Sequence, residues 1–292
     1  MELGTLGIWS MQLRDARRDE VREAVAELDA LGIGTLWIPG LDGKGAFDDV
    51  DALLAATPRA VVALGVLAVW GQHPVDVGRA VAELDAAHGP RTLLGLGVSS
   101  PESAAAVGQA WGNPLDTMSD YLDELAATEH PVARDRLMLG ALGPRMARLA
   151  ATRTAGLHPF LVPAEYAEVQ RAQLGAEALV APHLAVVLDT DPARARDIAR
   201  AGIGFFFGLP AYRANLARFG FADDDVADGG SDRLIDAVVA HGDLSAVARR
   251  VRQHLEAGAD HIALHVLTGD NDLPRAQWRE LATLVGPGGG IA

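Results

Sequence analysis

The 292-residue sequence contains no cysteine. That absence excludes disulfides, thiolate zinc sites, iron–sulfur clusters and cysteine nucleophiles together. Redox chemistry in this chain would therefore need an organic cofactor.

The sequence also has no excess of basic residues and no apolar run of membrane-spanning length. Its formal net charge of −14 argues against a nucleic-acid surface, which needs a basic face. No apolar run is long enough to span a bilayer. The N-terminus has neither the basic start nor the cleavage site of a signal peptide and reads as a first strand. We therefore expect a cytoplasmic protein without nucleic-acid or membrane partners.

Apolar segments alternate with amphipathic ones along the chain. Three times a helical pattern ends in an acidic-Leu motif and glycine before a strand, which is typical of repeating βα units. Eight segments are predicted as strands, at residues 3–8, 34–38, 61–66, 92–96, 137–141, 157–162, 183–188 and 261–266. Seven are predicted as helices, at residues 18–31, 75–87, 118–127, 145–153, 164–174, 192–201 and 244–257.

This alternation predicts an α/β fold in which residues 1–285 form one closed parallel (β/α)8 TIM barrel, because near-continuous apolar strands must be covered on both faces. An open doubly wound sheet is the alternative, but no G-x-G-x-x-G follows the first strand. Residues 205–240 break the rhythm and are predicted to be an insertion between strands 7 and 8. Residues 286–292 are predicted to be a flexible tail.

The fifth strand leads directly into a helix at Leu142-Gly143-Pro144-Arg145-Met146. Proline suits the first helical turn, where free backbone amides and the positive helix end attract an anion. Arg145 would add a side-chain charge. An ordinary β-to-α turn explains the same residues.

Side chains that follow the other strands are poor in acids and bases. His73 precedes Pro74 at a loop-to-helix boundary, where it could act as a base or only cap the helix. The glycines of residues 95–97 could admit a flat ring or phosphate, or only relieve crowding. His261 and His265 share one face of a strand but lack a third ligand, so we predict no metal site.

Together these segments resemble the luciferase-like monooxygenase superfamily, and most closely its probable coenzyme F-420-dependent oxidoreductases. The resemblance runs nearly the whole chain, and Leu142 to Met146 and Ala257 to His261 are its more specific segments. Its other segments are residues 28–39, 64–74, 94–98, 141–142 and 189–192.

The resemblance implies a barrel that holds coenzyme F-420, or alternatively FMN, at the carboxyl ends of the strands. It implies a phosphate-binding turn at Leu142 to Met146 and a non-prolyl cis peptide at Gly65-Val66. It also implies hydride transfer to or from a small organic substrate, and favours a homodimer. The residues expected to bind the cofactor are Gly65, Val66, Gly97, Val98, Ser99, Leu142, Gly143, Pro144, Arg145 and Met146.

The sequence departs from the family's pattern at two positions. Gly40 and Ser100 stand where related enzymes place an acid or a histidine. His73 and Ser100 are therefore the candidate catalytic side chains. A degenerate cofactor-binding barrel with little turnover is the alternative function. A cofactor-free lyase or hydrolase would need clustered carboxylates, which the strand ends do not offer.

Overall fold

A computed structural model describes residues 1–286 and shows an α/β architecture built on one parallel sheet. Within that range the sheet has ten strands. They are β1 (Leu6–Trp9), β2 (Thr35–Ile38), β3 (Val61–Ala68), β4 (Thr92–Gly97), β5 (Leu137–Leu139), β6 (Gly156–Leu157), β7 (Leu179–Val180), β8 (His183–Val187), β9 (Val239–His241) and β10 (Ile262–Val266).

Helices follow most strands and cover the outer face of the sheet. They are α1 (Gln12–Asp15), α2 (Arg18–Ala30), α3 (Ala46–Ala56), α4 (Pro74–His88), α5 (Pro101–Ala106), α6 (Pro114–Ala126), α7 (Pro144–Arg153), α8 (Glu165–Leu174), α9 (Pro192–Ile203), α10 (Pro210–Arg218), α11 (Asp223–Val226), α12 (Asp232–Val238), α13 (Leu244–Glu256) and α14 (Arg275–Ala282). Short 3-10 turns lie at Arg134–Arg136, Gly204–Gly208 and Ala227–Gly229.

The strands lie in the order β7-β6-β5-β4-β3-β2-β1-β10-β8-β9, and every neighbouring pair is parallel. Around β7 and β8 the chain hydrogen-bonds on both sides. The Ala181 amide donates to the Leu157 carbonyl at 3.0 Å, whereas the Ala263 amide donates to the Pro182 carbonyl at 3.0 Å. This segment therefore contacts both β6 and β10, and the sheet curls round.

Both faces of the curled sheet are apolar, which is why its strands read as continuous hydrophobic runs. The inner face carries a cluster that includes Trp9, Trp37 and Met138. The outer face packs against the helices, where a larger cluster includes Ile8, Leu64 and Leu264. The strand ends are thus supported from inside and outside.

The predicted α/β architecture is present, and each of the eight predicted strands overlaps an observed one, although the strand predicted at residues 157–162 overlaps β6 only at Leu157. Strands β7 and β9 were not predicted, and neither were α1, α3, α5, α10, α11 and α14. The predicted insertion at residues 205–240 contains α10, α11 and α12 and reaches β9, which pairs with β8. Its status as an insertion stays a prediction. Apart from residue 286, the predicted tail lies outside the described residues. Within residues 1–286 no helix is both long and apolar enough to cross a bilayer.

Candidate functional site at the strand ends

The carboxyl ends of β1 and β2 meet β3 at the peptide between Gly65 and Val66, which is cis. The indole Nε1 of Trp9 donates a hydrogen bond to the Gly65 carbonyl at 3.0 Å. The amide of Gly40 donates to the Val66 carbonyl at 3.2 Å. The expected cis peptide is confirmed, and the carbonyls of both its residues are held by neighbouring segments.

Glycines surround the side chain of Val66. A β-carbon placed on Gly97 would lie 2.6 Å from Val66 Cγ2, and one on Gly95 would lie 3.2 Å from Val66 Cγ1. A β-carbon on Gly140 would lie 3.4 Å from both methyl groups. Because these glycines have no side chains, the Val66 side chain fits between β3, β4 and β5. The structure therefore brings Gly65, Val66 and Gly97 into one uncharged patch.

Residues after β4 turn outward to start α5. The Val98 carbonyl accepts a hydrogen bond from the indole of Trp70. Ser99 is exposed with φ of 60°, and its Oγ lies 2.9 Å from Ser103 Oγ. Ser100 caps α5, since its Oγ accepts from the Ser103 amide at 3.3 Å. The Ser100 hydroxyl is thus engaged in helix capping, and a catalytic role for it stays a prediction.

His73 is an exposed N-cap of α4. Its Nδ1 accepts a hydrogen bond from the Val75 amide at 3.3 Å. This contact matches the capping alternative that the sequence left open. Among the described residues no hydrogen bond links His73 to the Val66 patch, so its catalytic role also stays a prediction.

The turn after β5 starts α7 as the sequence predicted. Gly143 is the N-cap without a side-chain cap, and Pro144 occupies the first turn. The Gly143 carbonyl accepts from the Ala147 amide at 3.0 Å, so the regular ladder begins there. Among the described residues the Arg145 and Met146 amides have no hydrogen-bond acceptor. Two first-turn donors are consequently available to an anion.

The turn is fixed from the side that faces the core. The Tyr166 hydroxyl donates to the Ala141 carbonyl at 2.7 Å. Leu142 and Met146 are partly buried and pack against the main hydrophobic cluster. Three of the five predicted phosphate-turn residues, Leu142, Pro144 and Met146, therefore shape the turn rather than offer side-chain donors.

Two guanidinium groups lie at or beside this helix end. Arg145 is exposed and, within residues 1–286, its guanidinium makes no recorded hydrogen bond or ion pair. The same holds for Arg218, the last residue of α10. A β-carbon on Gly143 would lie 3.8 Å from Arg218 Nη2. Arg218 was not predicted, because only the fold brings α10 next to α7.

Gly40 fills a position where no side chain fits. A β-carbon there would lie 2.5 Å from Leu67 Cα. Leu41 extends the contact, since its carbonyl accepts from the Ala68 amide at 2.9 Å. Close packing against β3 therefore explains why glycine stands where the resemblance would place an acid or a histidine.

Four rings cluster inside the curled sheet beside the cis peptide. The imidazole of His265 lies 4.4 Å from the indole of Trp9 between ring centres. His265 Nδ1 and His183 Nε2 are 3.0 Å apart, and Phe160 stacks on His183 at 3.6 Å. Burial lowers the pKa of His265 to about 3 and that of His183 well below its ordinary value. Both imidazoles are therefore neutral at pH 7.

Two further histidines complete the interior polar set. His158 Nδ1 donates to the Ala181 carbonyl at 2.7 Å and its ring stacks on Trp37 at 4.3 Å. His261 Nδ1 donates to the Gly4 carbonyl at 2.7 Å, and its Nε2 accepts from the Trp37 indole at 3.0 Å. Burial lowers the pKa of each to about 4. Within residues 1–286, no three histidine, aspartate or glutamate side chains are grouped as a metal site requires.

Two surface grooves lie away from the strand ends, between outer helices. One is lined by Glu165, Glu168 and Arg250, and the other by Leu122 and Leu125 with further residues. Large side chains fill the inside of the sheet instead, as the interior cluster shows. We place the candidate site at the strand ends because Gly65, Val66, Gly97 and the turn that starts α7 all lie on the strands or directly after them, whereas the residues that line the grooves do not.

Known proteins resemble this chain over nearly its whole length. A family model described as luciferase-like monooxygenase matches residues 5–261. A Mycobacterium tuberculosis protein named "Putative coenzyme F420-dependent oxidoreductase" is 24% identical over an alignment of 357 positions, gaps included. The alignment covers 98% of this chain and 99% of that protein.

Two solved structures are similar in fold. An F-420-dependent secondary alcohol dehydrogenase in complex with an F-420-acetone adduct aligns with a TM-score of 0.73 at 14% identity, covering 96% of this chain and 98% of the other. The oxygenating constituent of 3,6-diketocamphane monooxygenase from a Pseudomonas putida plasmid, in complex with FMN, aligns with a TM-score of 0.65 at 16% identity, covering 96% of each chain. At these identities the likeness concerns the fold.

Proposed function

We propose that this chain, which belongs to the luciferase-like monooxygenase family, is an oxidoreductase that uses coenzyme F-420 for hydride transfer to or from a small organic substrate. FMN is the alternative cofactor. The observation that carries the proposal is the pairing of an uncharged patch with a free helix end. Gly65, Val66 and Gly97 form the patch, and the amides of Arg145 and Met146 form the anion site.

The residues present fit such a cofactor. A flat ring system packs against apolar side chains, and Val66, seated among glycines of β4 and β5, offers one. A phosphate needs N–H donors and positive charge, and α7 supplies both through its first turn and Arg145. Arg218, at the end of α10, adds a second guanidinium beside Gly143. Val98 and Ser99 extend the same edge from β4. When bound, the cofactor would supply the hydride chemistry.

The protein's own contribution would be binding and orientation more than proton transfer. Gly40 has no room for a side chain, and the Ser100 hydroxyl caps α5. Gly40 and Ser100 are also compatible with a degenerate barrel that binds the cofactor with little turnover. Family membership favours the enzyme. Tight cofactor binding without reduction by any candidate donor would favour the degenerate barrel.

Titration of the purified protein with coenzyme F-420, FMN and FAD, followed by absorbance and fluorescence, tests the cofactor class. We expect coenzyme F-420 to bind most tightly. Arg145→Ala should raise the dissociation constant by about ten-fold, the worth of one charge-assisted contact. Arg148→Ala, an exposed arginine one turn further along α7, is the matched control and should leave affinity unchanged.

Two outcomes would contradict this assignment. No binding of any of the three cofactors removes the proposed function. Binding that Arg145→Ala and Arg218→Ala both leave unaltered moves the phosphate away from these two side chains, and Gly143→Pro then tests a backbone amide at the start of α7. A cytoplasmic homodimer stays a prediction, and light scattering coupled to size exclusion tests the dimer.

A further inference from the structure

We infer that His265, held in place by His183, is the hydrogen-bond donor that binds the oxygen atom of an uncharged carbonyl or alcohol substrate. This inference rests on the proposed function, because it names the substrate-binding side of the same site. His265 lies near the carboxyl end of β10. Trp9 separates it from Gly65, since the Trp9 indole contacts the imidazole and donates to the Gly65 carbonyl.

His265 is the interior histidine that reaches accessible space. It is 9% exposed, whereas His158, His183 and His261 are each 2% exposed or less. Its Nδ1 faces His183, and among the described residues its Nε2 has no protein partner. His158 and His183 also have one unpartnered ring nitrogen each, but those atoms are fully buried. His265 Nε2 is therefore the interior imidazole nitrogen that we assign to the contact with a ligand oxygen.

The hydrogen bond between the two rings leaves two proton arrangements. If His265 Nδ1 carried the shared proton, His183 would need its other proton on Nδ1, which is fully buried without an acceptor. If His183 Nε2 carries it, only a lone pair of His183 is left without a partner. Orphaned buried N–H groups are the rarer and costlier case. His183 therefore donates to His265, and His265 carries its proton on Nε2.

That arrangement presents a neutral N–H donor on the far side of Trp9 from the cis peptide. Burial keeps His265 neutral at pH 7, so it binds oxygen without carrying a positive charge. Negative charge gathers on a carbonyl oxygen when hydride reaches the carbonyl carbon, and a fixed donor stabilises it. The proton that completes the hydroxyl group would come from water, and His265 keeps its own.

Aromatic side chains next to the histidine pair define the rest of the substrate. Phe160 stacks on His183 and contacts Phe206 at 5.1 Å between ring centres. Phe205 stands 4.0 Å beyond Phe206 and is 67% exposed. These rings run from the histidine pair to the surface. The geometry thus fits a substrate with one uncharged oxygen and an apolar body.

Imidazole ¹⁵N NMR on the free protein tests the tautomers before any cofactor is added. We expect the Nε2–H form for His183 and His265, and the Nδ1–H form for His158 and His261, whose Nδ1 atoms face carbonyls. His183→Phe should abolish the preference of His265 for its Nε2–H form. An Nδ1–H form of His265 in the parent protein would overturn the inference.

Acetophenone and ethylbenzene then test the oxygen contact on the cofactor-loaded protein, because they share an apolar body and differ in the carbonyl. Acetophenone should shift the His265 Nε2 resonance and ethylbenzene should not. His265→Phe should raise the acetophenone dissociation constant by about ten-fold, and His265→Gln, which keeps an N–H donor, by much less. Equal affinities in parent and His265→Phe would refute the contact. Cofactor titrations of the same variants should match the parent, so failure of this inference is distinguishable from failure of the proposed function.

Discussion

His254 on α13 offers a test of how far burial controls acid stability. The side chain is fully buried, and neither ring nitrogen has a partner among the described residues. Burial, helped by the nearby positive charge of Arg250, lowers its pKa from 6.5 to about 4. The folded protein therefore holds this imidazole neutral at a pH where the unfolded chain protonates it.

The direction of the pH effect follows from that difference. Between pH 6.5 and 4 the unfolded chain binds more protons at His254, so the free energy of unfolding falls as the pH falls. Integrated from pH 8 to pH 5, the loss is about 2 kcal/mol. His254→Leu should remove this loss. At pH 8 the variant should match or exceed the parent, because two unpaired buried polar atoms are gone.

Urea unfolding at pH 8 and pH 5, followed by circular dichroism, measures the difference. The matched control is His130→Leu at an exposed loop histidine, which should lose the same stability as the parent. If His254→Leu also loses as much as the parent between the two pH values, the ring is hydrated or paired in solution and the burial argument is wrong.

Three further substitutions test contacts that support the strand ends. Gly40→Ala should lower the free energy of unfolding by about 2 kcal/mol, because its β-carbon overlaps β3; an unchanged melting temperature would show that the loop yields. Asp29→Ala should cost about 2–3 kcal/mol in urea unfolding, since its carboxylate accepts from the amides of Arg59 and Ala60, and a loss under 0.5 kcal/mol would contradict this. Tyr166→Phe should cost about 1 kcal/mol in the same assay and no loss would speak against its hydrogen bond.

Much of the fold could be predicted because parallel strands buried on both faces give unbroken apolar runs. β7 and β9 could not, since two or three residues carry no period and β9 continues directly from α12. α3 was missed although its buried residues Val50, Leu53 and Leu54 have helical spacing. That signal is present in the sequence.

Some features of the candidate site could likewise be predicted from the sequence, and others could not. Gly143-Pro144 predicts a helix start locally, and the structure has one there. His265 was noted only as a strand histidine, because its partners His183 and Trp9 are distant in sequence and reach it through strand order and register. The approach of Arg218 to α7 likewise depends on tertiary packing. Contacts of this kind carry no local signal.

The packing at Gly40 also constrains the order in which this site can change. In a laboratory selection for an acid or a histidine at position 40, the new side chain would clash with the backbone of Leu67 before it could contact any ligand. A single substitution there is therefore unfavourable on its own, whatever catalytic benefit the new side chain brings. Substitutions that move β3 outward therefore have to come first. Whether position 40 can accept a side chain depends on where Leu67 of β3 lies.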